Sequence, residues 1–196
     1  VLPAAAESKT LVIHNLSIDS APNYLLQAIS SSNDVSGASY LPSEPDCKNC
    51  EMNIENTFKL NDLKKYGSLT AIRVEGSKSS TAERLKNLKK ELNVLETNIS
   101  VLETLQSEIF WKKITNLEFF TATKNNLLRA VIPPSACVKL IYELPNKFKY
   151  FLDWGGAVIW VEACELSDQK FESIRRRVVA HGGYVSMIKN SDHLPY

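Results

Sequence analysis

The stretch Arg129-Ala-Val-Ile-Pro-Pro-Ser135, followed about two dozen residues later by Asp153-Trp-Gly-Gly-Ala-Val-Ile-Trp160, carries the strongest fold signals in the chain. No helix or strand needs two prolines or two glycines so placed for its own stability. Pro133 and Pro134 each lack an N–H donor and have a fixed φ, so the predicted strand Leu127–Ile132 must end where they stand.

Gly155 and Gly156 are the second signal. Glycine adopts φ > 0 without a steric penalty and allows two backbones to approach closely. The pair lies between Lys147–Leu152 and Ala157–Glu162, two short runs with the composition of strands. The sequence therefore predicts a tight connection between two adjacent strands at this point.

Working outward, hydrophobic periodicity predicts a first half-unit over about residues 8–97. One of its helices follows Asp19 or Ser20 as N-cap, and the other opens at the capping box Ser80-Thr-Ala-Glu83. The predicted strands are Thr10–His14, Val35–Leu41, Leu69–Glu75 and Val94–Glu96.

The second half-unit, about residues 127–190, repeats this order of elements. Its strands are those around the prolines and glycines, followed by a last strand at Tyr184–Ile188. One helix runs from Ser135 to about Leu144, and another follows Ser167 and ends at Gly182-Gly183. A helix at about 98–117 joins the halves, with these apolar members: Val101, Leu102, Leu105, Ile109 and Trp111.

Both halves thus have the order β-α-β-β-α-β, which is the order of the ferredoxin-like split βαβ unit. The fold class that follows is α+β: an antiparallel sheet with helices on one face, built from two such units. The two halves share no sequence identity, so the predicted repeat is one of architecture alone.

Composition excludes some function classes. The 196 residues have a formal net charge of +1, which gives no field suited to nucleic acid. No apolar run approaches the roughly 20 residues that span a bilayer. The hydrophobic share of 44% and the charged share of 23% are ordinary for a globular protein. The four cysteines do not form the pattern of a secreted disulfide framework, so a cytoplasmic location is the default expectation.

Four cysteines are present, and two of them form the motif Cys47-Lys-Asn-Cys50. Two thiolates at this spacing supply half of a zinc site, but tetrahedral zinc needs four ligands and no second such pair follows. The motif also lies in a polar stretch rather than at a helix N-terminus, which argues against a redox role. Cys137 and Cys164 lie in apolar segments and are expected to be buried. No metal site is therefore predicted.

Two arginines stand within otherwise apolar strands, Arg73 and Arg129. Either could point to water, or could face a cleft and bind a carboxylate through its two-pronged guanidinium. Glu75 is two residues from Arg73 on the same strand face, so those two side chains could pair. Trp154 and Trp160 are most often core or interface aromatics. No catalytic triad, metalloprotease helix, P-loop or Rossmann glycine motif occurs, so no catalytic residue is predicted.

Several segments occur in a familiar order: Val35-Ser-Gly-Ala-Ser-Tyr-Leu-Pro42, Ile72-Arg-Val-Glu-Gly-Ser77, Phe110-Trp111, Leu128-Arg-Ala-Val-Ile-Pro-Pro134, Asp153-Trp-Gly-Gly-Ala157 and Ala180-His-Gly-Gly183. Together they resemble the C-terminal cap domain of the FAD-binding-type subunit of bacterial glycolate oxidase, in the FAD-linked oxidase family, over nearly the whole chain.

The resemblance implies FAD-dependent oxidation of a small 2-hydroxy acid to the 2-oxo acid. FAD would be bound mainly by an upstream domain of the same polypeptide, which is absent from this sequence, and residues 1–196 would be the cap. Because the substrate is an anion, Arg73 and Arg129 are the candidates for lining its cleft, with Trp154 as a further candidate for the substrate or cofactor side.

The same resemblance implies a sister flavin subunit and an iron–sulfur subunit as partners, with peripheral attachment to the inner membrane through that complex. His-based metal motifs, expected in the sister subunits, are absent from this sequence. The sequence thus leaves open whether this subunit is catalytic or structural. A second hypothesis is a non-enzymatic ligand-binding or assembly module with a ferredoxin-like fold.

Overall fold

Eight strands and five α-helices form over the residues that the computed structural model describes, which are 6–43, 67–120, 125–145, 148–163 and 166–189. The strands are β1 Glu7–His14, β2 Val35–Leu41, β3 Leu69–Gly76, β4 Ile99–Leu102, β5 Asn126–Val131, β6 Lys149–Asp153, β7 Val158–Ala163 and β8 Tyr184–Lys189. The helices are α1 Ala21–Ile29, α2 Lys78–Glu91, α3 Thr104–Thr115, α4 Cys137–Glu143 and α5 Asp168–Ala180.

All eight strands belong to one antiparallel sheet in the order β4-β1-β3-β2-β6-β7-β5-β8. Each half of that order is the arrangement of a β-α-β-β-α-β unit, in which the first and third strands are neighbours at the centre. The two units meet where Tyr40 of β2 pairs with Leu152 of β6. The predicted α+β fold with a doubled ferredoxin-like sheet is confirmed.

One face of the sheet carries the helices of both half-units. Alternate strand residues on this side, such as Leu11 and Ile159, are fully buried against α1, α2, α4 and α5. This alternation is the period-2 pattern of a strand with one side in a core. The helix residues buried in the same cluster are Ala21, Leu25, Ala28, Leu85, Leu88, Cys137, Leu140, Ile141, Ile174 and Val178.

The connecting helix α3 lies on the opposite face, under the first half-unit. Its Phe110, Trp111 and Ile114 pack against Val12 and Ala71 in a second buried cluster. The sheet therefore has helices on both sides in its first half. The helices of the repeated units themselves stay on one face, as the sequence predicts.

The prediction of a helix over 98–117 and of a strand at Val94–Glu96 is wrong at this junction. The strand is β4, Ile99–Leu102, where Val101 pairs with Leu11 of β1. Helix α3 begins only after Glu103, which is extended. Leu105, predicted on the apolar face, is 70% exposed.

The structure confirms three predicted features of turns and helix ends. The glycines of the β6–β7 connection have φ of 67° and 91°, and Gly182 after α5 has φ of 78°. Ser167 caps α5, accepting a hydrogen bond from the Lys170 N–H. Helix α2 differs from prediction: its N-cap is Ser77, which accepts from the Ser80 N–H, so the helix starts before the proposed capping box.

In the described part of the chain, none of the helices has the length and apolarity needed to cross a membrane.

Candidate functional site

The described helices cover only half of the sheet face that carries α3. Helix α3 contacts β1 and β4, and the residues that follow it pack Phe119 and Phe120 against Phe151 of β6. Beyond that point no described helix lies over β7, β5 and β8. We call this surface, over which the structure describes no helix, the open face; its partly or fully exposed side chains are Leu127, Arg129, Val131, Trp160, Tyr184 and Ser186.

Arg129 stands at the centre of the open face. It is directly opposite Trp160 on β7 and Ser186 on β8 in the strand register. Its guanidinium carbon lies 5.8 Å from the centroid of the Trp160 ring, which is within cation–π range. The Trp160 ring in turn stacks on Phe151, with centroids 6.4 Å apart and planes 26° apart. The strand register thus builds an aromatic platform under a positive charge.

No carboxylate of the described residues forms an ion pair with Arg129, which is half-buried. A guanidinium beside an aromatic ring still has a planar fork of N–H donors that the ring does not use. Such a fork matches the two oxygens of a carboxylate. The open face can therefore bind a small organic anion at this position.

A buried ion pair borders the platform. Lys149 of β6 and Glu162 of β7 are register partners, with 3.7 Å between Nζ and Oε2, and both are almost fully buried. Opposite charges this deep in a protein must satisfy each other, because desolvating either one alone is very unfavourable. Arg129 is a further cation on the same face of the sheet, one strand away from Glu162.

Arg73 lies on the same side of the sheet but at a different place. Its guanidinium lies 4.9 Å from the Trp111 ring centroid, and its Nε lies 3.3 Å from the Glu75 carboxylate. It also donates to the side chain and carbonyl of Ser36. The predicted pairing with Glu75 is confirmed, and these contacts anchor the end of the α3 interface.

The structure does not bring Arg73 and Arg129 together. Strands β3 and β5 are four positions apart in the sheet, which at about 4.8 Å per strand is roughly 19 Å. A small 2-hydroxy acid cannot contact both side chains. Of these two candidates, only Arg129 lies on the open face.

Trp154 lies in the β6–β7 turn, with φ of 50° and 70% of its surface exposed. The turn belongs to the helix side of the sheet: a Cβ on Gly155 would meet Ile29 of α1, and one on Gly156 would meet Cys137 of α4. Asp153 fixes its start by accepting from the Trp154 N–H and the Ser39 hydroxyl. Trp154 is therefore remote from the Arg129 platform.

The cysteines contribute nothing to the open face. Cys137 is a free, buried thiol, and burial raises its pKa. Cys47, Cys50 and Cys164 lie outside the described residues. Over the parts of the chain that are described, no group of His, Cys, Asp and Glu side chains could hold a metal ion.

No protein-family model matches the chain, and no curated protein sequence matches it. Among solved structures, alkyldihydroxyacetonephosphate synthase matches with a TM-score of 0.53 and 13% sequence identity. The match covers 93% of this chain and 41% of that one, so this chain spans less than half the length of the synthase. The synthase is a member of the FAD-linked oxidase family.

The fold of this chain is therefore similar to that of part of the synthase. At 13% identity this likeness concerns the fold alone and does not extend to glycolate oxidase in particular.

The sequence made Arg129 a candidate but did not point to the three side chains that the structure places near it. Trp160 was assigned to a core or an interface, whereas it forms the platform under the guanidinium. Lys149 and Glu162 were not considered at all. The available signal was strand alternation: on β7, Trp160 and Glu162 share one face, and an antiparallel partner places a charge beside each of them.

Proposed function

We propose that this chain is the cap domain of an FAD-dependent enzyme that oxidises a small 2-hydroxy acid, such as glycolate, to the 2-oxo acid. The observation that supports this most is Arg129, held on the Trp160 ring at the centre of an open sheet face. The likeness of the fold to that of an FAD-linked oxidase family member supports a flavin as the group that this face meets. The open face would be the substrate side of the cap.

Arg129 would bind the substrate carboxylate through two parallel N–H···O bonds. Charge-assisted hydrogen bonds of this kind are worth about 1.5–3 kcal/mol each. They would also fix the orientation of the substrate, so that its C2–H points away from the sheet. Trp160 and the flanking side chains Leu127 and Val131 would exclude water around the reacting carbon.

A planar ring system could lie against the open face, because aromatic and aliphatic side chains surround the Arg129 guanidinium there. It offers no phosphate-binding loop, and no glycine-rich nucleotide motif occurs in the sequence. We therefore expect FAD to be held mainly by another domain of the same polypeptide. FAD, when bound, would supply the hydride acceptor, and this chain would supply binding and orientation.

The expected partners follow from the same proposal. They are the FAD-binding domain of the same polypeptide, a sister flavin subunit and an iron–sulfur subunit that passes electrons onward. The complex would be cytoplasmic and peripheral at the inner membrane. With a net charge of +1, the chain has no electrostatic basis for binding nucleic acid.

An FAD titration of the 196-residue chain tests this division of labour. We expect no tight FAD binding by the chain alone, because the open face would contact only the flavin ring and not the phosphates of FAD. Binding should appear when a nucleotide-binding domain from the same gene is added. Stoichiometric, tight FAD binding by the chain alone would overturn the proposal.

The alternative is a non-enzymatic ligand-binding module, and one observation favours it. A cleft of about 510 Å³ lies on the helix side of the sheet, away from the open face. The gene sequence upstream of Val1 discriminates between the two functions. A complete FAD-binding domain there supports the cap, whereas an ordinary start codon supports the ligand-binding module.

A further inference from the structure

The cleft on the helix side lies at the junction of the two half-units. Its walls come from the β1–α1 connection around Leu16, from the end of β2, and from the segment between α4 and β6. Its volume of about 510 Å³ falls within the ~300–1,000 Å³ typical of small-molecule sites. Tyr40 and Tyr150 pack into the helix-side core, so the cleft and the open face lie on opposite sides of the sheet.

Four aromatic side chains line this cleft, and three of them carry hydroxyl groups: Tyr40, Tyr142, Tyr150 and Phe148. The Tyr40 hydroxyl donates to the Leu16 carbonyl at 3.2 Å. The Tyr142 hydroxyl donates to the Asp19 carboxylate, at 3.0 and 3.1 Å from its two oxygens. Among the described residues, the Tyr150 hydroxyl has no hydrogen-bond partner, which leaves it available to a ligand.

The lining of this cleft is uncharged over the described chain, but a carboxylate is bonded to one of its tyrosines. No lysine, arginine, histidine, aspartate or glutamate is among the described lining residues, and the Asp19 carboxylate accepts the hydrogen bond of the lining Tyr142. Burial raises the pKa of Tyr150, and the neighbouring Tyr40, Tyr142 and Asp19 raise it further. The hydroxyl is therefore neutral at pH 7, and the site disfavours an anion.

We propose that this cleft binds a small organic cation, an amine or a quaternary ammonium compound. Aromatic rings attract such cations through their negative faces, and the Asp19 carboxylate, bonded to the lining Tyr142, adds an opposite charge. In this arrangement Asp19 and the tyrosine rings hold the cationic end of the ligand. Tyr150 accepts from or donates to a polar group elsewhere on it.

The test uses choline and its neutral, equally sized analogue 3,3-dimethylbutan-1-ol, added to the isotope-labelled 196-residue chain and followed by NMR. We expect choline to bind at least about tenfold more tightly than the neutral analogue, with shifts around Tyr142 and Tyr150. Equal affinity for the two compounds would overturn the proposal, as would the absence of choline binding up to about 50 mM.

Two substitutions make the test specific. Asp19→Asn keeps an acceptor for Tyr142 but removes the charge, and we expect it to weaken choline binding at least about fivefold. Asp168→Asn, in the exposed first turn of α5, is the matched control and should leave the affinity unchanged. Unchanged choline affinity in Asp19→Asn, with a native NMR spectrum, would contradict the role of the carboxylate. This outcome is independent of FAD binding, because the cleft lies on the other side of the sheet.

Discussion

Helix α3 covers the first half of one sheet face and leaves the second half open, and a single glycine on β2 makes this close docking possible. A Cβ placed on Gly37 would lie 2.9, 3.0 and 3.1 Å from three carbons of the Trp111 six-membered ring. Trp111 is held there by its Nε1–H, which donates to the Thr10 hydroxyl at 2.8 Å. The ring therefore has little room to move aside.

We predict that Gly37→Ala destabilises the chain, although alanine in a strand interior is ordinarily better than glycine by about 0.5–1 kcal/mol. Overpacking a buried site typically costs about 1–3 kcal/mol, so the net loss should be about 1–2 kcal/mol. Urea unfolding, with an unchanged dependence on urea concentration, measures this difference.

A double-mutant cycle with Trp111→Phe isolates the contact. Phenylalanine lacks the three ring carbons that meet the added methyl group, so Gly37→Ala in that background should be neutral or stabilising by up to about 1 kcal/mol. The expected coupling energy is about 1–3 kcal/mol. The same cost of Gly37→Ala in both backgrounds would refute the docking of α3 described above.

Two further predictions concern the turn after α5 and the end of β1. Gly183→Ala should cost more than about 3 kcal/mol in urea unfolding, because its Cβ would lie 2.3 Å from the Val131 carbonyl oxygen. A Cβ on Gly182 would make only an ordinary contact with Pro133, at 3.8 Å, so Gly182→Ala should cost about 1–2 kcal/mol for its positive φ. Equal costs would contradict the close approach of this turn to β5. Burial lowers the pKa of His14 to about 4 in the folded chain, whereas the imidazole keeps its ordinary pKa of about 6.5 in the unfolded chain. Between pH 6.5 and pH 4 only the unfolded chain binds a proton at His14, so the free energy of unfolding should fall by up to about 3 kcal/mol as the pH drops across this range. His14→Gln should reduce that slope in unfolding measured across this range, and an unchanged slope would exclude His14 as its source.

The doubled unit could be predicted because hydrophobic residues recur about every 2 positions in its strands and about every 3.6 positions in its helices. Pro133 and Gly155 mark where β5 ends and where β6 turns into β7. The region around Val101 misled the prediction, because its apolar residues recur at three- and four-residue spacing as in a helix. Pairing with β1 decides their conformation, and that is a tertiary effect.

The site was less accessible to sequence reasoning. Arg129 was a candidate because it interrupts an apolar strand, but Arg73 looked equivalent to it by the same criterion. What separates them is the position of α3, whose Trp111 ring lies against Arg73 and leaves Arg129 open. Residues distant in sequence, such as Trp160, come to the site only through strand pairing.

The most direct test of the central claim is the reduction of bound flavin by glycolate in the proposed flavoprotein, prepared with this chain and the FAD-binding domain that we expect beside it. We expect Arg129→Gln to lower kcat/KM by about 10- to 100-fold, mainly through KM, while reduction by dithionite is unchanged. Arg129→Lys should recover only part of this loss, because an ammonium cannot form the paired hydrogen bonds. Arg73→Gln is the matched control and should change kcat/KM by less than about threefold. Wild-type kcat/KM for glycolate in Arg129→Gln would contradict the assignment of the open face as the substrate side.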